Sequence, residues 1–213
     1  MLNYIFKIVL IMRFHNLNFN ITTNFIKNFE QSIKFINYHI LNNHIYIYNM
    51  IIALKNKHTL KVDEFYFKCS IGKRGLSNKK KEGDNKTPEG YFEIENLYFR
   101  RDRLKKPTTS LKCIKINKNM GWCNDLNSPK KYNKLINAKE NAKHEKLMRT
   151  DHKYDLLIPI KYNFKKPITG KGSCIFIHLT KDYKPTAGCI ALKKKDFLIM
   201  LKLINKKTKI KII

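Results

Sequence analysis

From Met50 onward, apolar and polar residues alternate in short runs separated by Gly, Pro and Asn. "MIIALKN" is a short apolar run, and "TLKVDEFYFKCSIG" has the period of two that a strand or hairpin with one buried face requires. "YFEIENLYFRRDRL", "SLKCIKI", "YDLLIPIKYN", "SCIFIHL", "GCIAL" and the terminal "TKIKII" repeat that texture. "GKRGLSNKKKEGDNKTPEG" reads as a loop. Residues 117–150 are polar and irregular, with a short helix expected at "NAKHEKLMR". The strongest helical period is in "KKDFLIMLKLIN", which places Phe197, Leu198, Leu201 and Ile204 on one face. No repeat of fixed period is present. Many short strands with one or two short helices predict a mainly β fold, a sandwich or barrel.

The first 49 residues differ in texture. They are rich in Asn, Ile and Phe, contain no Gly or Pro, and carry few charges. "TNFIKNFEQSIKFINYHIL" has roughly helical spacing. The chain is therefore expected to divide into an N-terminal extension, 1–49, and a domain over 50–213. The extension reads as an anchor, an appendage, or a stretch upstream of a true start at Met50. Its opening "MLNYIFKIVLIMRF" is interrupted by Lys7 and lacks a small-residue cleavage site, so it makes a poor signal peptide. No segment reaches the roughly 18 apolar residues of a membrane span.

Composition adds one feature. The chain has 213 residues, 43% hydrophobic and 12% aromatic, enough to bury a core, yet its net charge is +28. Such a field draws polyanions. Most of the lysines are scattered from Lys55 to Lys211 and do not cluster with aromatics in a nucleic-acid-binding motif, and a Lys-, Asn- and Ile-rich composition also arises from AT-biased coding. No specific nucleic-acid partner is expected; electrostatic association with anionic envelope polymers is. Five cysteines, Cys69, Cys113, Cys123, Cys174 and Cys189, form no C-x-x-C pair, so neither a structural zinc nor any other metal or cofactor is implied.

The candidate chemistry lies in "IFIHLTKDYKPTAGCIAL", two short apolar strands joined as in a hairpin. Alternation puts Phe176 and His178 on one face, and Ile175, Ile177 and Leu179 on the other. With ten residues between them, Cys189 can return beside His178. An imidazole can take the proton of a thiol and leave a nucleophilic thiolate. Gly188 opens room beside the sulfur, and the backbone N–H groups of Gly188 and Cys189 can receive an oxyanion. The same spacing also suits a His and a Cys that are merely core residues.

His178 followed by Thr186-Ala187-Gly188-Cys189 resembles the active-site motif of the L,D-transpeptidase catalytic domain, or YkuD-like, family. Gly83, Asp84, Thr87, Pro88, Gly90 and Phe92 resemble that family's early signature. "RRDRL", "GWCNDLNSPKKYN", "HEKLMRTDHKYDLLIPIKYN" and "GKGSCIFIHL" extend the likeness, in order, across 50–213 to a compact stand-alone branch. The resemblance implies a β-rich fold and a cysteine enzyme acting on peptidoglycan stem peptides in the periplasm or cell envelope. Cys189 would be the nucleophile and His178 the base. The product would be a 3-3 cross-link or, with water as acceptor, L,D-carboxypeptidase hydrolysis. His144, Thr186, Arg149 and Trp122 are candidate substrate-binding residues, and a monomer is expected. One departure stands out: the family commonly has Arg or Asn two residues after the cysteine, where this chain has Ala191. Arg149 and Arg103 are the candidates for a substitute cation. A polyanion-binding module with an inert Cys–His pair, or a wall-binding domain without turnover, would be the competing functions.

Overall fold

The computed structural model describes residues 50–213 apart from Lys79. The extension 1–49 and the helix expected within it lie outside the described residues.

Strands β1 (Ile51–Asn56), β2 (Thr59–Val62) and β3 (Phe65–Ser70) form an antiparallel meander from the first two alternating runs. Ile52 pairs with Val62 and Leu54 with Leu60, and all four side chains are buried on one face. Strands β4 (Leu76–Ser77) and β5 (Thr87–Pro88) make a short parallel pair inside the stretch expected to be loop. Next come β6 (Gly90–Glu93), β7 (Leu97–Phe99) and β8 (Cys113–Lys115).

The polar region contains a separate three-stranded sheet. Its central strand β9 (Met120–Cys123) is flanked by β10 (Leu135–Asn137) and β11 (His144–Lys146). The helix expected at residues 141–149 is thus corrected to a strand. A helix of that length has little stability of its own, whereas pairing of β11 with β9 supplies backbone partners and is followed by a fully buried Leu147.

Strands β12 (Leu156–Pro159), β13 (Phe176–Leu179) and β14 (Ile190–Leu192), helix α1 (Lys194–Leu203) and strand β15 (Lys209–Ile212) complete the chain. The large sheet has ten strands in the order β6-β15-β1-β2-β3-β14-β13-β12-β7-β8. Strands far apart in this order share one aliphatic cluster, including Ile52, Leu97, Ile158, Ile177 and Ile210, so the sheet curls around its core. Helix α1 inserts Phe197, Met200 and Leu201 into that core, while Leu198 is only partly buried. Asp196 in its first turn and Lys202 in its last complement the helix dipole. The fold is mainly β, with this one helix among the described residues. One detail differs from expectation: β13 and β14 are neighbours but run parallel, so the link between them is a crossover rather than a hairpin turn.

Candidate functional site

Strand β13 divides its side chains as its alternation requires. Ile175, just before the strand, Ile177 and Leu179 enter the aliphatic core. Phe176 joins a second cluster with Trp122, Tyr154, Cys174 and Cys189. The His178 ring lies 5.5 Å from the Tyr154 ring on that same side. In the parallel register His178 is opposite Ala191, and Cys189 immediately precedes β14. Both His178 and Cys189 line one cavity of about 510 Å³.

The thiol has two backbone contacts. Cys189 Sγ donates to the Cys174 carbonyl at 3.1 Å and accepts the Phe176 N–H at 3.4 Å. Cys174 has a left-handed backbone, φ +54°, and its N–H donates to Asn133 Oδ1. Asn133 Oδ1 also accepts the Trp122 indole N–H at 2.9 Å, and its Nδ2 bonds the carbonyls of Tyr162 and Asn163. A buried hub therefore holds the residue that holds the thiol.

His178 Nδ1 lies 2.9 Å from the Leu179 carbonyl. A carbonyl only accepts, so Nδ1 carries the proton and Nε2 presents a lone pair. Burial pushes the His178 pKa down to about 4, against a smaller opposing effect of the Leu179 bond. Burial also pushes the Cys189 thiol up to about 12; Glu145 adds to this, while the Phe176 N–H and Lys80 oppose it. At neutral pH the pair rests as thiol and neutral imidazole, because burial penalises both charged forms.

The loop before the cysteine is built around Thr186. Its Oγ1 donates to the Cys189 carbonyl at 2.6 Å and accepts the Gly188 N–H at 3.1 Å. The Gly188 N–H is thus engaged within the loop. Gly188 has φ +139°, and a Cβ there would stand 2.8 Å from the Lys86 carbonyl, so only glycine fits.

Of the other candidates, Arg149 lines the cavity. It is bidentate to Asp151 at 2.9 and 2.7 Å, lies 3.5 Å from Glu145 and stacks over Tyr154. Arg103 is not among the lining residues; it ties the 150–155 segment through Asp155 and the carbonyls of Thr150 and Asp151. His144 is also outside the lining. Its ring packs on Gly121, and its Nδ1 bonds the Ala142 carbonyl. Its neighbour Glu145 lines the cavity instead. Trp122 is buried behind the site, edge-on to Phe176 at 5.3 Å. Ala191 lines the cavity.

Three site residues were not singled out from the sequence. Lys80, with only 3% of its side chain exposed, pairs with Asp84 at 2.8 Å; its Nζ is 3.6 Å from where a Gly188 Cβ would be. The Asp84 pKa is lowered: bonds from Lys80, Lys86 and Lys81 outweigh the burial that would raise it. Asp84 is therefore an ion-pair partner as well as a turn former. Glu145 lines the cavity, accepts the Tyr154 hydroxyl at 2.5 Å, and has its pKa raised by burial. Both lie in segments already quoted, but nothing in spacing separates Lys80 from its neighbours Lys79 and Lys81. Asn133 was hidden because its partners are 11 to 41 residues away.

All five cysteines are free thiols. Among the described residues no three His, Cys, Asp or Glu side chains gather as metal ligands, and no helix is long and apolar enough to cross a membrane.

The chain is similar in structure to the helical cell shape determining protein Pgp2 from Campylobacter jejuni: 19% identity, TM-score 0.42, covering 76% of this chain and 46% of that one. It is also similar to Bd1075 of Bdellovibrio bacteriovorus: 14% identity, TM-score 0.37, covering 77% of this chain and 46% of that one. The chain thus spans less than half the length of either. A search of curated proteins returned no match. The family model of the L,D-transpeptidase catalytic domain, YkuD, matches residues 42–212, which is most of the chain. The chain therefore belongs to the L,D-transpeptidase catalytic domain family.

Proposed function

We propose that this chain is an L,D-transpeptidase in which Cys189 attacks peptidoglycan stem peptides and His178 moves the proton. The observation that carries the reading is that one cavity is lined by both a histidine whose Nε2 has the free lone pair and a thiol at the end of the adjoining strand. Domain limits follow the same reading, with the catalytic unit over 50–213 and 1–49 as an extension.

In the proposed cycle, His178 Nε2 takes the proton of Cys189 Sγ as sulfur bonds to the carbonyl between the L-centre of meso-diaminopimelate and the terminal D-alanine. Negative charge on the carbonyl oxygen is met by the Cys189 N–H, with the Lys80 ammonium nearby. The C–N bond breaks, His178 returns the proton to the departing D-alanine amine, and a thioester remains. The side-chain amine of a second stem then attacks the thioester, forming a 3-3 cross-link and restoring the thiol. Because thiol and imidazole rest uncharged, proton transfer accompanies the attack instead of preceding it. Thr186 holds the cysteine loop, and Arg149, which lines the cavity while paired with Asp151, is the candidate partner of a substrate carboxylate. Cell-wall substrates place the work in the periplasm or envelope.

The test is to incubate the purified full chain with meso-diaminopimelate tetrapeptide muropeptides, beside Cys189→Ala, and to weigh the products. A cross-linked dimer absent with the variant is the expected result. Loss of one alanine without dimer would make the enzyme an L,D-carboxypeptidase using the same residues. No product from folded, reduced protein would sink the enzymatic reading in favour of a wall-binding or polyanion-binding domain.

A further inference from the structure

A second cavity, of about 400 Å³, lies on the other side of the segment that leads to Thr186. Pro185 lines both cavities. Thr186 is bridged here by two backbone bonds, Thr186 N–H to the Ile71 carbonyl and Lys73 N–H to the Thr186 carbonyl. The floor of this cavity includes Ser70, the last residue of β3.

Two features of the lining stand out. First, it carries Lys57, Lys73, Arg74 and His58 and no carboxylate. None of the three permanent cations has an ion-pair partner among the described residues, unlike Lys80 and Arg149 in the first cavity. Second, Ser70 is 5% exposed, and its Oγ has no hydrogen-bond partner. Its side chain leaves β3 on the face opposite Cys69, which enters the aliphatic core. In register, Ser70 is opposite Ala191, which is opposite His178, so the hydroxyl sits two strands from the imidazole on one face. A buried hydroxyl without a partner is costly, and the cations, all exposed to solvent, add their fields around one cavity. An anionic ligand meets the cations directly and the hydroxyl once rotation about χ1 turns it toward the cavity, since Oγ is closed off as it stands.

We propose that this second cavity binds a phosphate group. A terminal phosphate carries between one and two negative charges near neutral pH and presents three acceptor oxygens, which suits three cations and a hydroxyl better than a single carboxylate does. Lys73 and Arg74 are adjacent on the turn that starts at Gly72, where the Gly75 N–H bonds the Gly72 carbonyl. Phosphorylated polymers and phospholipid headgroups share this chemistry.

The test is titration of the full-length chain with inorganic phosphate, read by calorimetry and by phosphorus NMR. Saturable one-to-one binding is expected. Lys73→Ala combined with Arg74→Ala should weaken it at least tenfold. Ser70→Ala should weaken it severalfold while leaving the melting temperature unchanged or higher, since it removes an unsatisfied hydroxyl. A control, Lys105→Ala with Lys106→Ala, removes the same charge from elsewhere and should change affinity less than twofold. Equal weakening by the control, or binding without saturation, would overturn the proposal and assign phosphate attraction to the diffuse net charge. Two further probes separate the sources: tighter binding of glycerol phosphate points to a polymer, and binding to phosphatidate vesicles that is lost in the Lys73/Arg74 variant points to a headgroup.

Discussion

The two faces of β13 make opposite use of neighbouring residues. Ile177 and Leu179 point into a core built mostly of aliphatic side chains, where neither has a polar role. Phe176 and His178, one residue away in each case, point into a cluster of aromatic rings and sulfur where each polar atom has a specific task. The first face is interchangeable in kind, because burial energy depends on area and fit. The second is fixed in detail, because a hydrogen bond depends on direction. Substitutions on the first face should therefore move stability, and substitutions on the second should move chemistry.

His178→Gln gives the largest separation. Gln keeps approximate volume and polarity but cannot serve as base. D-alanine release should fall by about 10²–10⁴, with the urea midpoint little changed. Activity within tenfold of wild type would remove His178 from the mechanism. The opposite entry in the comparison is Phe197→Ala, in the helix that closes the aliphatic face. Phe197 is fully buried, so truncation should cost about 3–5 kcal/mol of stability in urea unfolding. Turnover per folded molecule should be unchanged. If it fell in proportion to stability, the two faces would not be separable. A smaller effect is expected for Thr186→Val, which deletes the hydroxyl joining the Cys189 carbonyl and the Gly188 N–H. With geometry loosened and no reacting group removed, the alkylation rate of Cys189 and turnover should each drop about tenfold, and Thr186→Ser should restore both.

The same contrast explains what could be read before the structure. The strands of the large sheet announce themselves by alternation, because each has one face in the core, and the Phe176/His178 face follows from the same rule. The parallel course of β14 does not, since apolar runs carry no direction. The segment 141–149 was misjudged because short-range period cannot weigh pairing with β9, some twenty residues earlier in the chain. At the site, His178, Gly188 and Cys189 form a local motif. Lys80, Asn133 and Glu145 do not; each owes its place to long-range packing, and no residue type or spacing marks it. The Gly188 N–H went the same way: its partner Thr186 is close in sequence, but only the loop's conformation turns the donor inward.

The most diagnostic effect is on pH dependence, where the burial of the second face becomes measurable. His178 has a folded pKa of about 4, below its ordinary 6.5. Between these values the unfolded chain binds the proton and the folded chain does not. Stability from this group is thus complete above 6.5 and is lost as pH falls toward 4. Cys189 is raised from 9.0 to about 12, so its contribution is complete below 9 and is lost as pH climbs toward 12. Cys69, raised to about 12 by burial, adds to that alkaline limb. Glu145, with its pKa raised, works against His178 on the acid side, so the His178 share must be isolated by difference. Subtracting the urea-midpoint profile of His178→Gln from that of wild type should leave a slope confined to about pH 4–6.5. The Cys189 thiol should likewise react with iodoacetamide slowly at pH 7, its rate still rising above pH 9. A rate already on its plateau at pH 7 would mean a preformed thiolate and imidazolium. Charge would then be stable on the second face, and its burial would not be what keeps the pair neutral until substrate arrives.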